Sequence, residues 1–321
     1  MATAQSTTVS GQLPMAYSRL GDRIFRSVTF MAACAVGLLF LLVAYLLYHG
    51  ANLSIAKFGW HFLVTSTWDP VAEQFGALPF IYGTLVSSAV ALIIAVPLSI
   101  GTAIYLTDLA PLWLRQPVAS VIEMLSAVPS VIWGLWGVFV MVPWLRDNLF
   151  PLLKKYLGFL PLFQGPIYGV SMLAGGIIVA IMILPIVTSI SREILRSVPN
   201  LQREAAYGLG ATRWEVTRIA VLSYAKRGLL GAAVLGLGRA LGETMAVTMV
   251  IGNRPEIASS LLAPGYTLSS VIANEFSEAT SDLYLNALFE LGLVLMAVTI
   301  IVNLLALVLI KTIETPGSRR A

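Results

Sequence analysis

Residues 80–106 read FIYGTLVSSAVALIIAVPLSIGTAIYL, 27 positions without one charged side chain. A helix rises about 1.5 Å per residue, so this run is long enough to cross about 30 Å of hydrocarbon. Five further apolar runs repeat the pattern, at 27–48, 117–142, 169–190, 228–251 and 283–310. A bilayer is the only solvent that suits such a chain, and every backbone polar group in it must be satisfied within helices. The expectation is an all-α integral membrane protein with six transmembrane helices, organised as one domain over 27–311. The linking segments 50–78 and 143–168 are too broken by Gly, Pro and polar residues to span.

Composition agrees. Of 321 residues, 58% are hydrophobic and 11% charged, far from the balance of a soluble domain of this length. The net charge of +4 raises the question of nucleic acid, but the basic residues cluster beside the apolar runs. Fourteen of the 20 Lys and Arg fall on the side of the N-terminus, five on the other (Lys57, Arg146, Lys154, Lys155, Arg254), and Arg239 lies inside a run. The positive-inside rule then puts both termini in the cytoplasm of a multi-pass cell-membrane protein. The first 18 residues lack a basic n-region and a cleavage pattern, so no removable signal peptide is expected. Residues 1–26 and 312–321 read as cytoplasmic tails. Cys34, alone, excludes a disulfide within the chain.

Prolines 97, 129 and 185 fall inside runs, where each removes a donor and is expected to kink its helix. His49 and His61 have no acidic or thiol neighbours at metal-ligand spacing, and no metal site is expected. Trp133, Trp136 and Trp144 suit packing and an interfacial aromatic belt. Glu123 reads as a snorkelling or capping residue.

The most informative polar stretch is REILRSVPNLQREAAYGLGATRWEVTRIAVLSYAKR, 192–227. Apolar Leu209, Trp214, Ile219 and Leu222 alternate with Arg213, Glu215 and Arg218, and Gly208 and Gly210 interrupt the pattern. Two short helices about a glycine turn are expected. From charge alone, an amphipathic helix lying on anionic lipid is an equal reading. Glu204-Ala205-Ala206, three residues and Gly210 resemble the EAA loop of ABC importer permeases. That resemblance implies a coupling helix docked on a separate ATP-hydrolysing subunit, and the type I importer permease (MetI-like) fold. The family pattern closes with Ile-x-Leu-Pro, whereas this chain has Ala220, Leu222 and Ser223.

A second resemblance narrows the substrate. LGLGRALGETMAVTMVIGN (235–253) is similar to the signature of PstC-type phosphate permeases. PFIYGTLVSS (79–88), MLSAVPSVIWGLWG (124–137) and ANEFSEATSDLYLNALFELGL (273–293) agree with it. The resemblance implies the permease subunit of a phosphate importer, with molybdate or sulfate as the alternative oxyanion. It also implies a second, PstA-like permease, two ATPase subunits that bind ATP and Mg, and an extracytoplasmic phosphate-binding protein meeting outer segments 50–78 and 252–282. This chain itself is expected to bind no cofactor and to catalyse no reaction.

Independently of any family, Arg239 falls near the middle of a 24-residue run, the costliest depth for a charge. Guanidinium offers a planar fork of donors that fits an oxyanion and is weakly hydrated for a cation. Glu243, four residues on, is expected on the same helix face at ion-pair distance, holding the arginine and accepting the proton of partly protonated phosphate. Glu290 is expected in the same layer in a supporting role. A buried pair that only fixes helix packing is the plainer reading. Gly231, Gly238 and Gly242 form a small face for a partner helix. An intramembrane enzyme with Glu243 as base lacks a nucleophile or second acid in a recognisable motif. A secondary transporter lacks an inverted repeat. No GxxxxGK[ST] occurs in the chain, so nucleotide must bind elsewhere.

Overall fold

The computed structural model of the protein describes residues 18–312. Most of both expected tails lies outside the described residues, while 18–26 are already helical. The described residues form helices and loops, with isolated β-bridges at Asp69–Gln74 and Gly252–Gly265. The chain divides into two units, Met1–His49 and Gly50–Ala321.

The first unit is carried by α1 (Ser18–Gly50). The second contains α2 (Asn52–Phe58), α3 (His61–Val64), α4 (Leu78–Leu109), α5 (Leu112–Ser126) and α6 (Ser130–Leu157). It continues with α7 (Met172–Arg196), α8 (Asn200–Gly208), α9 (Arg213–Leu241), α10 (Met245–Ile251), α11 (Leu268–Glu275) and α12 (Asp282–Thr312).

Among the described residues five helices, α1, α4, α7, α9 and α12, are long and apolar enough to cross a membrane. The pair α5–α6 makes a sixth if taken as one span, but it is bent by 94°. The expected third span at 117–142 is therefore not a straight helix. The bend falls at Ala127–Pro129, where a proline has no N–H to give and forces the residue before it out of the helical region. Pro97 and Pro185 stay inside continuous helices.

Small residues decide how these helices pack. In α7, the most buried of the spans, Gly176 faces Val90 and the Ser87 carbonyl of α4, and Gly175 faces Ile251 of α10. Gly137 of α6 faces Val250 and Ile178. Ser99 Oγ donates to Leu184 O at 3.1 Å, a polar tie between α4 and α7. Around α7 the core is aliphatic, with Ala91, Ala95, Ile178, Ile183, Val250 and Ile251. At one end Phe62, Phe75, Phe80, Tyr266 and Tyr284 form an aromatic cluster. At the other, Ala103, Leu195, Val198, Val221 and Ala225 close the core beneath α8.

Candidate transport path and coupling loop

Two faces of α9 differ. Ala225, Leu229, Ala232, Gly236 and Ala240 are buried, and a Cβ on Gly236 would come within 2.7 Å of Val187 in α7. The opposite face carries Gly231, Leu235, Arg239 and Gly242. Leu235 is 60% exposed and Arg239 and Gly242 are exposed. Nothing lies within 4 Å of a Cβ built on Gly231, and near Gly238 the foreign atoms are those of Asn303 in α12, at 3.9 Å. The small face expected at Gly231, Gly238 and Gly242 is thus largely open in this chain. Packing is made instead by a second small face, Gly228 and Gly236, against α7.

Arg239 and Glu243 do not form the expected pair. Among the described residues no ion pair or hydrogen bond holds the Arg239 guanidinium or the Glu243 carboxylate. The reason is local: α9 ends at Leu241, and Gly242, Glu243 and Thr244 form a break before α10. Glu243 N reaches only Ala240 O, at 3.4 Å, so the i,i+4 face that pairing required is lost. The break leaves carbonyls that hydroxyls satisfy. Ser269 Oγ of α11 donates to Glu243 O at 2.6 Å, and Thr244 Oγ1 donates to Gly242 O at 3.1 Å. A broken helix is tolerated at membrane depth on this condition.

Glu290 stands elsewhere. Asn303, opposite Gly238, is 13 residues and so about 20 Å further along α12 than Glu290. Glu290 is therefore not brought to Arg239. It is 7% exposed beside Ser54 of α2, with Oε2 unpartnered, and borders a mostly apolar groove of about 570 Å³ with Ile55, Trp60, Ile81 and Val294.

In the loop expected to couple to an ATPase, Glu204, Ala205 and Ala206 lie in α8. The helix ends in a Schellman motif: Ala211 N donates to Ala206 O at 3.2 Å and Gly210 N to Tyr207 O at 2.9 Å. Gly210 takes φ +83°, the left-handed region open to a residue without Cβ. Thr212 then caps α9 in a capping box. Its N–H donates to Glu215 Oε2 at 2.8 Å, and Glu215 N–H donates to Thr212 Oγ1 at 3.4 Å. The Thr212 N–H and the Thr212 hydroxyl, which also donates to Oε2 at 2.8 Å, hold the Glu215 carboxyl below its ordinary pKa. The expected helix–glycine–helix is present, and without the family's proline α9 runs on unbroken into the membrane through a π-helical stretch, Val216–Val221. Leu201, Tyr207, Leu209 and Trp214 are exposed around it, Leu209 by 91%.

Two ion pairs tie this end together. Arg203 Nη1 of α8 meets Asp108 Oδ1 of α4 at 2.5 Å, with side-chain exposures of 21% and 11%. Arg192 Nη2 of α7 meets Glu123 Oε1 of α5 at 2.8 Å. Glu123, expected to snorkel or cap, is half-exposed but paired.

The family profile described as binding-protein-dependent transport system inner membrane component matches residues 95–315. The chain belongs to this family of importer membrane components. It is 46% identical over 299 residues, 92% of this chain and 91% of the other, to the phosphate transport system permease protein PstC of Mesorhizobium japonicum. To PstC 2 of Mycobacterium tuberculosis it is 40% identical over 294 residues, 89% of this chain and 90% of that one. A probable PstC of Methanocaldococcus jannaschii is 36% identical over 293 residues, 89% and 93% of the two chains. Among solved structures, a chain of a bacterial ABC transporter involved in the import of the acidic polysaccharide alginate aligns with TM-score 0.54 at 18% identity, over 92% of this chain and 100% of that one. Such identity speaks for the fold alone, the MetI-like importer-permease fold.

As a binding-protein-dependent membrane component, the chain carries residues that its linear pattern hides. Asp108 and Arg203 are 95 positions apart, and Glu123 and Arg192 are 69 apart. The signal that was present is the rarity of acidic residues within or beside apolar runs.

Proposed function

We propose that this chain is the permease subunit of an ATP-driven phosphate importer, lining with a second permease the path by which phosphate enters the cytoplasm. The observation that carries the reading is Arg239: an exposed guanidinium inside the apolar run 228–251, near the end of α9 beside the break at Gly242–Thr244, with no ion pair or hydrogen bond to it among the described residues. A charge at that depth does not face lipid. The open face is where a PstA-like partner and the ion meet it, and the relatives named for phosphate transport support that ion.

Arg239 contacts phosphate through its donor fork. Glu243 in the break supplies an acceptor for the proton that phosphate retains near neutral pH and sulfate lacks. The break keeps the carboxylate from neutralising the arginine, so the site holds a free cation for the anion.

The exposed apolar residues around Glu204, Ala205, Ala206 and Gly210 fit a groove on an ATPase subunit, which holds ATP and Mg. Both termini are then cytoplasmic. The segments 50–78 and 252–282, at the aromatic end, receive the extracytoplasmic phosphate-binding protein.

Labelled phosphate uptake by the assembled complex in vesicles tests this. R239Q is expected to abolish uptake with assembly unchanged, and near-normal uptake would sink the assignment. Stronger competition by molybdate or sulfate than by phosphate would reassign the substrate.

A further inference from the structure

Asp108 closes α4 at the coupling-loop end, and its two carboxylate oxygens are held by different elements. Oδ1 accepts from Arg203 Nη1 of α8 at 2.5 Å, and Oδ2 lies 3.2 Å from Thr217 Oγ1 of α9. The other terminal nitrogen of Arg203 donates to Leu195 O of α7 at 3.0 Å. Thr217 is 5% exposed and the Arg203 and Asp108 side chains are 21% and 11% exposed, so the cluster is largely buried with water reaching its Arg203 side. Separating a largely buried pair leaves a charge poorly compensated, which favours α8 moving with the end of α4 rather than away from it. Asp108 stands on a π-helical turn, Tyr105–Leu109, a local departure from α geometry that recurs at functional sites.

The opposite end of α4 is fastened just as specifically. Gly83 lies directly beneath the Tyr266 carbonyl, and Thr84 Oγ1 accepts the Leu268 N–H at 2.9 Å. The next residue, Ser269, donates its hydroxyl to Glu243 O at 2.6 Å, in the break that follows Arg239. From Thr84 to Asp108 the helix covers 24 residues, about 36 Å. Between these ends α4 is tied to α7 through Ser99 and the close approach of Gly176.

We propose that α4 is a connecting rod. Asp108 and Arg203 are positioning residues that pass displacement of the coupling helix along α4, through Thr84 and α11, to the break beside Arg239. The proposal rests on the reading of α8 as the ATPase-coupling helix. It names a two-ended mechanical element, each end fixed by side chains that touch neither nucleotide nor phosphate.

The test uses the complete complex in proteoliposomes: both permeases, the ATPase subunits and phosphate-loaded binding protein. Basal ATP hydrolysis, its stimulation by the binding protein, and labelled phosphate uptake are measured together. D108N and R203M at one end, and T84V at the other, are expected to lower the stimulation ratio by about fivefold or more, with uptake falling in step and basal hydrolysis unchanged. Because Asp108 and Arg203 act through one contact, the double variant D108N/R203M is expected to lose no more than either single variant. A merely structural role would lower the amount of assembled complex and leave the ratio as it was.

L209D at the exposed loop tip separates the two layers of argument. If L209D keeps its ATPase bound and stimulated, the coupling-helix reading fails. If L209D releases the ATPase while D108N, R203M and T84V retain a normal ratio, the rod alone is overturned. Should D108N not assemble, T84V and T217V each remove a hydroxyl without removing a charge, and a normal ratio in both overturns the proposal as well.

Discussion

Trp68 donates its indole N–H to Glu275 Oε2 at 2.7 Å, joining two segments 207 positions apart. The same oxygen accepts the Tyr284 hydroxyl at 2.6 Å, and the Trp68 ring lies 4.9 Å from those of Phe75 and Phe80. One half-buried carboxylate thus staples the loop before α4 to the end of α11 and the start of α12, joining the two regions proposed to receive the binding protein.

E275A leaves two donors without an acceptor and is expected to cost about 1–3 kcal/mol in thermal unfolding of the purified complex. W68F keeps an aromatic ring in the cluster and loses one bond, so its loss is expected to be smaller. Equal stability of E275A and the unmodified complex would show that water replaces both bonds.

The close approach of Gly83 to Tyr266 makes a second expectation. A Cβ at 83 would meet backbone oxygen, which no rotamer change can move aside. G83A is expected to cost about 1–3 kcal/mol through overpacking and to displace the Tyr266–Leu268 segment. Hydrogen exchange at the Leu268 N–H reads the displacement: faster exchange is expected, and unchanged protection would mean that α4 shifts as a whole.

Gly210 can be tested at the coupling loop. Its φ of +83° disfavours a side chain by about 1–2 kcal/mol. The expected order of loop stability is Gly, then G210N, then G210A, with G210V last, since Asn visits the left-handed region most readily. Limited proteolysis of the loop and ATPase co-purification should fall in the same order; an indifferent G210V would place the functional contact away from this turn.

These cases mark what the linear pattern could carry. Hydrophobic runs placed the spans because burial in lipid imposes length and apolarity on consecutive residues. The helix–glycine–helix turn at 200–215 was legible because the Schellman glycine and the Thr212–Glu215 capping box are contacts within a few positions. The break at Gly242–Thr244 was not, because Gly242 was equally explained as one step of a close-packing face. An i,i+4 rule applied across that break produced the wrong pairing for Arg239. Asp108–Arg203 and Trp68–Glu275 join positions far apart, and no periodicity encodes such a meeting. Glu290 misled by its depth in the sequence run: equal counts from two helix ends do not place two side chains in one neighbourhood.

Arg192 supplies the last expectation. Its residue is 8% exposed, and Nε and Nη1 have no partner while Nη2 meets Glu123, whose side chain is 53% exposed. A buried charge compensated from one side only is a poor source of stability, and replacing it by an apolar chain of similar length removes two unsatisfied donors along with the pair. R192M is therefore expected to be near neutral or stabilising in thermal unfolding. E123A, which strands the guanidinium, is expected to cost about 1–3 kcal/mol, less than for a fully buried pair because water reaches the site from the Glu123 side. If R192M proves the more damaging of the two, Arg192 is held by more than Glu123, and its unpartnered nitrogens have acceptors in the assembled transporter.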